Sequence, residues 1–218
     1  MGGGEGRQTE PAVSGGNRNL SVFINCPYDA DYQPIFDAIV FASVCCGYIP
    51  RCAIETDQVA EPRIRRIVRA LKGCKYSIHD LCRCQGQGDK NLARFNMPLE
   101  LGIAMAERFD DSKPANWHDW LLLVPPGHSY GNFISDLAGY DPKSIEQRVD
   151  QIVPAVMSWL LTREDAVAAP CPQDILDLLP TYMTARHVLG TKWLGHEPWK
   201  QVVAQAISVG QGGGIIPK

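Results

Sequence analysis

Residues 76–107, YSIHDLCRCQGQGDKNLARFNMPLELGIAMAE, read as a short apolar strand, a polar glycine-containing loop and a helix with a glutamate in its first turn. Tyr76, Ile78 and Leu81 make 76–81 strand-like, and Asp80 falls near its carboxyl end, where open α/β sheets place ligand-binding groups. Asn96 is the expected N-cap of the helix, and Pro98 is tolerated in its first turn. Leu99, Ile103 and Ala106 recur at helical spacing and form the expected buried face. Glu100 and Ala104 share a different face. A helix running back along the sheet from the loop would hold Glu100 near the strand ends beside Asp80, with the small Ala104 leaving room for a ligand. The reading predicts two carboxylates in one cleft.

On the N-terminal side of this stretch, LSVFIN (20–25) is a first strand, broken by Pro27. Its end leads into Asn25, Cys26, Pro27, Tyr28 and Asp29. This loop is not a dinucleotide fingerprint, because G-x-G-x-x-G is absent and a proline stands where close backbone approach needs glycine. Asp31 is the expected cap of a helix over 32–46, buried through Ile35, Ile39, Ala42 and Cys46 and stopped by Gly47. A second strand over 48–54 precedes a helix over 61–72. There Ile64, Ile67, Val68 and Leu71 form the expected buried face, and Arg63, Arg65, Arg66 and Arg69 mostly a solvated one.

On the other side, WLLLV (120–124) is a fourth strand, stopped by two prolines. A turn-rich segment follows, with a short helical stretch over 133–138. A helix over 144–161 is expected to be capped by Ser144 and buried through Ile145, Val149, Ile152, Val156 and Leu160. Strands alternating with helices at this spacing predict an α/β fold, a parallel sheet with helices on both faces.

The chain has 218 residues, 45% hydrophobic and 21% charged, which suits one globular domain with an appendage. The expected divisions are a flexible leader (1–18), the α/β domain (19–162), a C-terminal helical extension (163–209) and a flexible tail (210–218). A net charge of -3 and a pI near 5.9 lack the basic footprint of duplex nucleic-acid binding. No run approaches the ~18 apolar residues of a membrane span, and no apolar signal region opens the chain, so a cytoplasmic protein is expected. The eight cysteines are then expected as reduced thiols. His79, Cys82 and Cys84 lack the paired spacing of structural zinc sites, so no metal is expected. Tyr182, Trp193 and Trp199 give the extension more aromatic surface than a helical pair readily buries, which predicts a homo-oligomer or a partner protein.

Glu100 by position alone would be a first-turn carboxylate stabilised by the helix dipole. Arg94, Asn96, Gly102, Ala104 and Asp80 around it make a small polar ligand site the alternative. Asp80 reads equally as a strand-end cap, and Tyr28 and Asp29 as turn and capping residues, while His79 reads more readily as a satisfied core histidine than as a catalytic base.

FINCPYDADYQPIFDAI (23–39), the aspartate ending the third strand and the E-x-G-x-A of MPLELGIAMA (97–106) resemble a superfamily. It comprises nucleoside 2-deoxyribosyltransferases, 2'-deoxynucleoside 5'-phosphate N-hydrolases and Toll/interleukin-1 receptor (TIR) domains, and the chain looks most like a bacterial TIR-like branch. The similarity covers roughly residues 20–161. It implies a flavodoxin-like parallel sheet of four or five strands and cleavage of the bond between base and sugar in a nucleotide, nucleoside or NAD. Glu100 matches the glutamate that attacks the anomeric carbon, and Asp80 the aspartate that holds sugar or base. Asn25, Pro27, Tyr28, Asp29, His79, Arg94, Asn96 and Met97 would line the substrate, with no cofactor. The S-x-W-C-x-x-E surroundings of TIR NAD-cleaving enzymes are absent. The resemblance also implies bacterial antiviral defence, with a defence-system partner, and as its alternative a non-catalytic module that binds a nucleotide signal or mediates assembly. Cleaving an N-glycosidic bond builds positive charge on the sugar, which a fixed carboxylate such as Glu100 can stabilise or trap.

Overall fold

The computed structural model describes residues 17–55, 60–83, 95–127, 129–132, 134–166 and 170–217. Among these the strands are β1 (Ser21–Asn25), β2 (Ile49–Cys52), β3 (Tyr76–Asp80), β4 (Asp119–Val124) and β5 (Lys143–Ser144). The α-helices are α1 (Gln33–Cys45), α2 (Arg63–Lys72), α3 (Asn96–Arg108), α4 (Val149–Leu160), α5 (Pro172–Lys192) and α6 (Trp199–Gly212). Every strand pair is parallel, as the alternation predicts, and the order β2-β1-β3-β4-β5 is the flavodoxin-like one that the resemblance implies. All strands therefore end at one edge, which carries Asn25, Asp80 and Val124.

Side chains alternate across the sheet, and the two faces take different partners. Val22, Ile24, Tyr76, Ile78, Leu121 and Leu123 pack with α1 and α4. Phe23 packs with Ile67, Leu71 and Ala104 of α2 and α3. Leu122 and Val124 pack with Met97 and Leu101 of α3. Helix α1 is buried from Ile35 through Cys45, because α5 and α6 cover the side that the sheet does not. It ends where Gly47 takes φ 84° and Tyr48 N–H reaches back to the Ser43 carbonyl.

Several sequence expectations need correction. Helix α3 has turned: Met97, Glu100, Leu101, Ala104 and Glu107 are its buried residues, while Leu99 and Ala106 are exposed and Ile103 is half-buried. Ala104 is filled in by Phe23, Ile67 and Leu71 and leaves no room for a ligand. Asn96 is the first residue of α3 and makes no cap bond, and it is Asp29, in place of Asp31, whose carboxylate accepts from Tyr32 N–H at the start of α1. On α2, Ile67, Ala70 and Leu71 are buried and Ile64 is exposed. Ser144 belongs to β5, and α4 begins at Val149.

The C-terminal extension is part of the core. Tyr182 is fully buried and stacks on Phe41 with ring centroids 4.8 Å apart. Trp199 packs on Phe36 and donates its indole N–H to the Pro50 carbonyl at 3.0 Å. Only Trp193 of the three rings behind the oligomer expectation stays substantially exposed. The expected tail is ordered through 217: α6 continues to Gly212, and Ile215 and Ile216 pack back on the core. The expected leader lies outside the described residues except 17–18, where Arg18 is fixed over the Trp117 ring and donates to the Trp117 carbonyl.

Candidate functional site

The strand order reverses direction between β1 and β3, and in open α/β sheets that is where a crevice opens at the carboxyl ends. Asn25 ends β1, His79 and Asp80 end β3, and the first turn of α3 lies over both strands. Alternation sends His79 to the α3 side and Asp80 to the α1 side. On the α3 side, Asn25 Nδ2 donates to the Met97 carbonyl at 2.9 Å and pairs with His79 Nδ1 at 2.8 Å. Met97 and Glu100 stand one turn apart on the same buried face of α3, and the Glu100 carboxyl is felt by Cys26 and Tyr28 in the loop that follows Asn25.

Glu100 is 3% exposed, and its Oε2 is buried with no hydrogen-bond partner among the described residues. Asn25 Oδ1 is in the same state. An unpaired buried acceptor costs about 1–3 kcal/mol, so two in one corner are a strong sign that something else is meant to meet them. Burial pushes the Glu100 carboxyl up to about 7, against the pull of Arg63 at the start of α2. The carboxyl is therefore poised to change charge near neutral pH.

On the α1 side the polar groups satisfy one another. Asp80 accepts from the Tyr32 hydroxyl through Oδ2 and from Cys82 N–H at 2.7 Å through Oδ1. Burial raises its pKa, and these bonds pull it back down. Both Asp29 oxygens accept from Arg83 at 2.8 and 2.9 Å, and Arg83 also reaches Gln147 and lies over the Tyr32 ring. The Tyr28 hydroxyl donates to the Ile24 carbonyl and accepts from Ala53 N–H, bracing β1 against the end of β2. Cys26 lies between the two sides and feels both Asp80 and Glu100, which, after burial, hold its thiol protonated.

The structure thus gathers Asn25, His79, Met97 and Glu100 into one corner and places Asp80, Asp29 and Tyr28 in a bonded frame around it. Pro27 is buried in the loop that leaves β1, and Asn96 is exposed at the start of α3. Arg94 and Cys84 lie outside the described residues. Both ring nitrogens of His79 already hold hydrogen-bond partners. Tyr32, Arg83, Ser77 and His118 escaped the sequence reading. Tyr32 and Arg83 had a detectable signal, an aromatic and a cation flanking the two strand-end loops, whereas nothing in the linear order joins Ser77 to His118. No group of three or more His, Cys, Asp or Glu that could hold a metal is found among the described residues, and no helix there is long and apolar enough to cross a membrane. Compared with known proteins, no family model matches the chain, nor does any curated protein or solved structure.

Proposed function

We propose that the protein cleaves the N-glycosidic bond between base and sugar in a nucleotide, nucleoside or NAD, by hydrolysis or glycosyl transfer, with Glu100 as the group that meets the sugar. The observation that supports this reading is Glu100 itself: buried in the first turn of the helix that follows β3, with no hydrogen-bond partner for Oε2 among the described residues. Breaking a base from a sugar leaves an oxocarbenium-like centre, and a fixed carboxylate in a water-poor corner stabilises that charge far better than water does. A carboxyl that ionises near pH 7 becomes the required anion at little cost, and the growing positive charge on the sugar draws it further toward that form. Asp80 is engaged twice by its own chain, so its part is to hold the Tyr32 and Cys82 segments that wall the crevice.

The test is base release. Purified protein is incubated with NAD and a panel of nucleoside monophosphates, and free base is measured by chromatography. Glu100→Gln keeps the shape but never carries the charge, so turnover is expected to fall roughly 10²-fold or more. In the wild type, turnover is expected to rise with pH through about 7 as Glu100 ionises. Full activity in Glu100→Gln would remove Glu100 from the mechanism.

One observation favours a second reading, a non-catalytic assembly module. Phe95, Leu99 and Phe109 are 75%, 57% and 57% exposed on the outer side of α3. Large residues at both ends of this stripe, with Gly102 and Ala106 between them, fit an antiparallel second copy of the same helix.

A further inference from the structure

Behind the Glu100 corner runs a chain of buried polar groups that the proposed chemistry does not itself use. His79 Nε2 pairs with Ser77 Oγ at 2.8 Å, Ser77 Oγ pairs with His118 Nε2 at 2.8 Å, and His118 Nδ1 meets the Cys74 carbonyl at 3.1 Å. Ser77, His79 and His118 are each fully buried. Burial also pushes the two rings down, His79 to about 3 and His118 to about 4, so both are neutral at ordinary pH.

In such a chain the direction of every proton follows from its ends. A carbonyl oxygen only accepts, so His118 carries its hydrogen on Nδ1 and presents Nε2 as an acceptor. Ser77 must then donate its hydroxyl hydrogen to His118 and accept from His79 Nε2–H. His79 Nδ1 is left as an acceptor and takes one hydrogen from Asn25 Nδ2. The Met97 carbonyl takes the other. With both amide hydrogens spoken for, Asn25 cannot flip, and its Oδ1 is left as a buried acceptor without a partner among the described residues.

We propose that Asn25 reads the substrate by accepting a hydrogen bond from one of its O–H or N–H groups, and that Ser77, His79 and His118 are positioning residues that lock the Asn25 amide in the accepting orientation. The substrate-reading half rests on the glycosidase reading above; the proton order of the chain stands on the structure alone. An amide free to flip would offer a ligand either a donor or an acceptor and discriminate poorly. A locked amide rejects a group that brings only acceptors, because two unshared oxygens would face each other in a buried site.

The test has a spectroscopic arm and a kinetic arm. Long-range proton–nitrogen NMR of the histidine rings in the whole protein is expected to show His79 protonated on Nε2 and His118 on Nδ1, both neutral at pH 7. In Asn25→Asp the carboxylate can no longer donate, so His79 is expected to move its hydrogen to Nδ1 or to become cationic. The opposite wild-type tautomers, a cationic ring in the wild type, or unchanged rings in folded Asn25→Asp would each overturn the chain. The wild-type spectrum decides this even where a variant fails to fold. In the kinetic arm, Ser77→Ala cuts the chain without touching the crevice. With whichever of NAD or the nucleoside monophosphates releases base, its KM is expected to rise about tenfold while kcat changes much less, with recovery in Ser77→Thr. An unchanged KM in folded Ser77→Ala would overturn the positioning role. A wild type inert toward the whole panel would overturn the glycosidase reading and the substrate-reading role with it, while the ring spectra still decide the proton order.

Discussion

Glu100 holds its proton to about pH 7 because its corner offers the ionised form no hydrogen bond among the described residues and only the Arg63 charge for company. A carboxyl whose folded pKa lies above its unfolded value makes the folded state bind more protons than the unfolded one. Below pH 4.5, the ordinary value, both states are protonated and no difference exists; between 4.5 and about 7 stability falls as pH rises; above about 7 the whole cost is present. At about 1.4 kcal/mol per unit, that cost is roughly 3 kcal/mol. Gln at this position never ionises. Glu100→Gln is therefore expected to unfold at higher denaturant concentration than wild type at pH 8, by up to roughly 3 kcal/mol, with the gain gone by pH 4. A substitution that stabilises the fold while removing the activity is the signature of a group kept for function at the expense of stability. Equal stability of the two proteins at pH 8 would show that Glu100 is solvated, as an ordinary first-turn carboxylate would be.

At the scale of the element, α3 separates what the sequence pattern decides from what it leaves open. Its helical character and its place after β3 were legible, since loop, proline and periodicity agree on them. Its rotation was not. Leu99, Ile103 and Ala106 repeat at helical spacing as well as Met97, Leu101 and Ala104 do, and the second set buries a glutamate that burial energetics disfavour. Only the tertiary fit of Ala104 under Phe23, and of Leu101 beside Leu122, selects that second set. Ser144 was misread for a related reason, because a two-residue edge strand leaves too little pattern to distinguish it from a helix start. Two substitutions separate the rotations. Leu101→Ala removes a buried side chain and is expected to cost about 2–5 kcal/mol, while Leu99→Ala is expected to stay within about 0.5 kcal/mol. Denaturant melts in which these costs are exchanged would return α3 to the orientation that the sequence suggests. Light scattering on Leu99→Glu reads the same face for assembly: a mass that grows with concentration in the wild type is expected to be lost.

For the whole molecule, the two C-terminal helices form a fourth layer over α1 and are tied to it by a largely buried ion cluster. Arg186 of α5 reaches Asp37 of α1 at 3.3 Å and Glu197, just before α6, at 2.9 Å, and Gln33 donates to the same Asp37 oxygen. Asp37 and Arg186 keep only 8% and 10% of their side-chain surfaces exposed. Burial raises the Asp37 carboxyl, and the guanidinium is the largest influence that pulls it back. A buried pair is weak evidence of net stability, but removing one member strands the other. Arg186→Met keeps most of the apolar stem and deletes the charge, leaving Asp37 with Gln33 alone, so the variant is expected to lose about 3–5 kcal/mol at pH 7. The pH dependence identifies the cause. Without Arg186 the folded-state pKa of Asp37 climbs further above its unfolded value, so the stranded charge costs most at high pH and its cost disappears once the folded protein takes up the proton. The deficit against wild type should therefore shrink steadily as pH falls toward 4, where a packing defect would leave it unchanged. Because the cluster joins α1, α5 and the start of α6, the loss should appear as one cooperative transition of the whole chain. An early separate melting of the C-terminal helices would make them a detachable appendage after all.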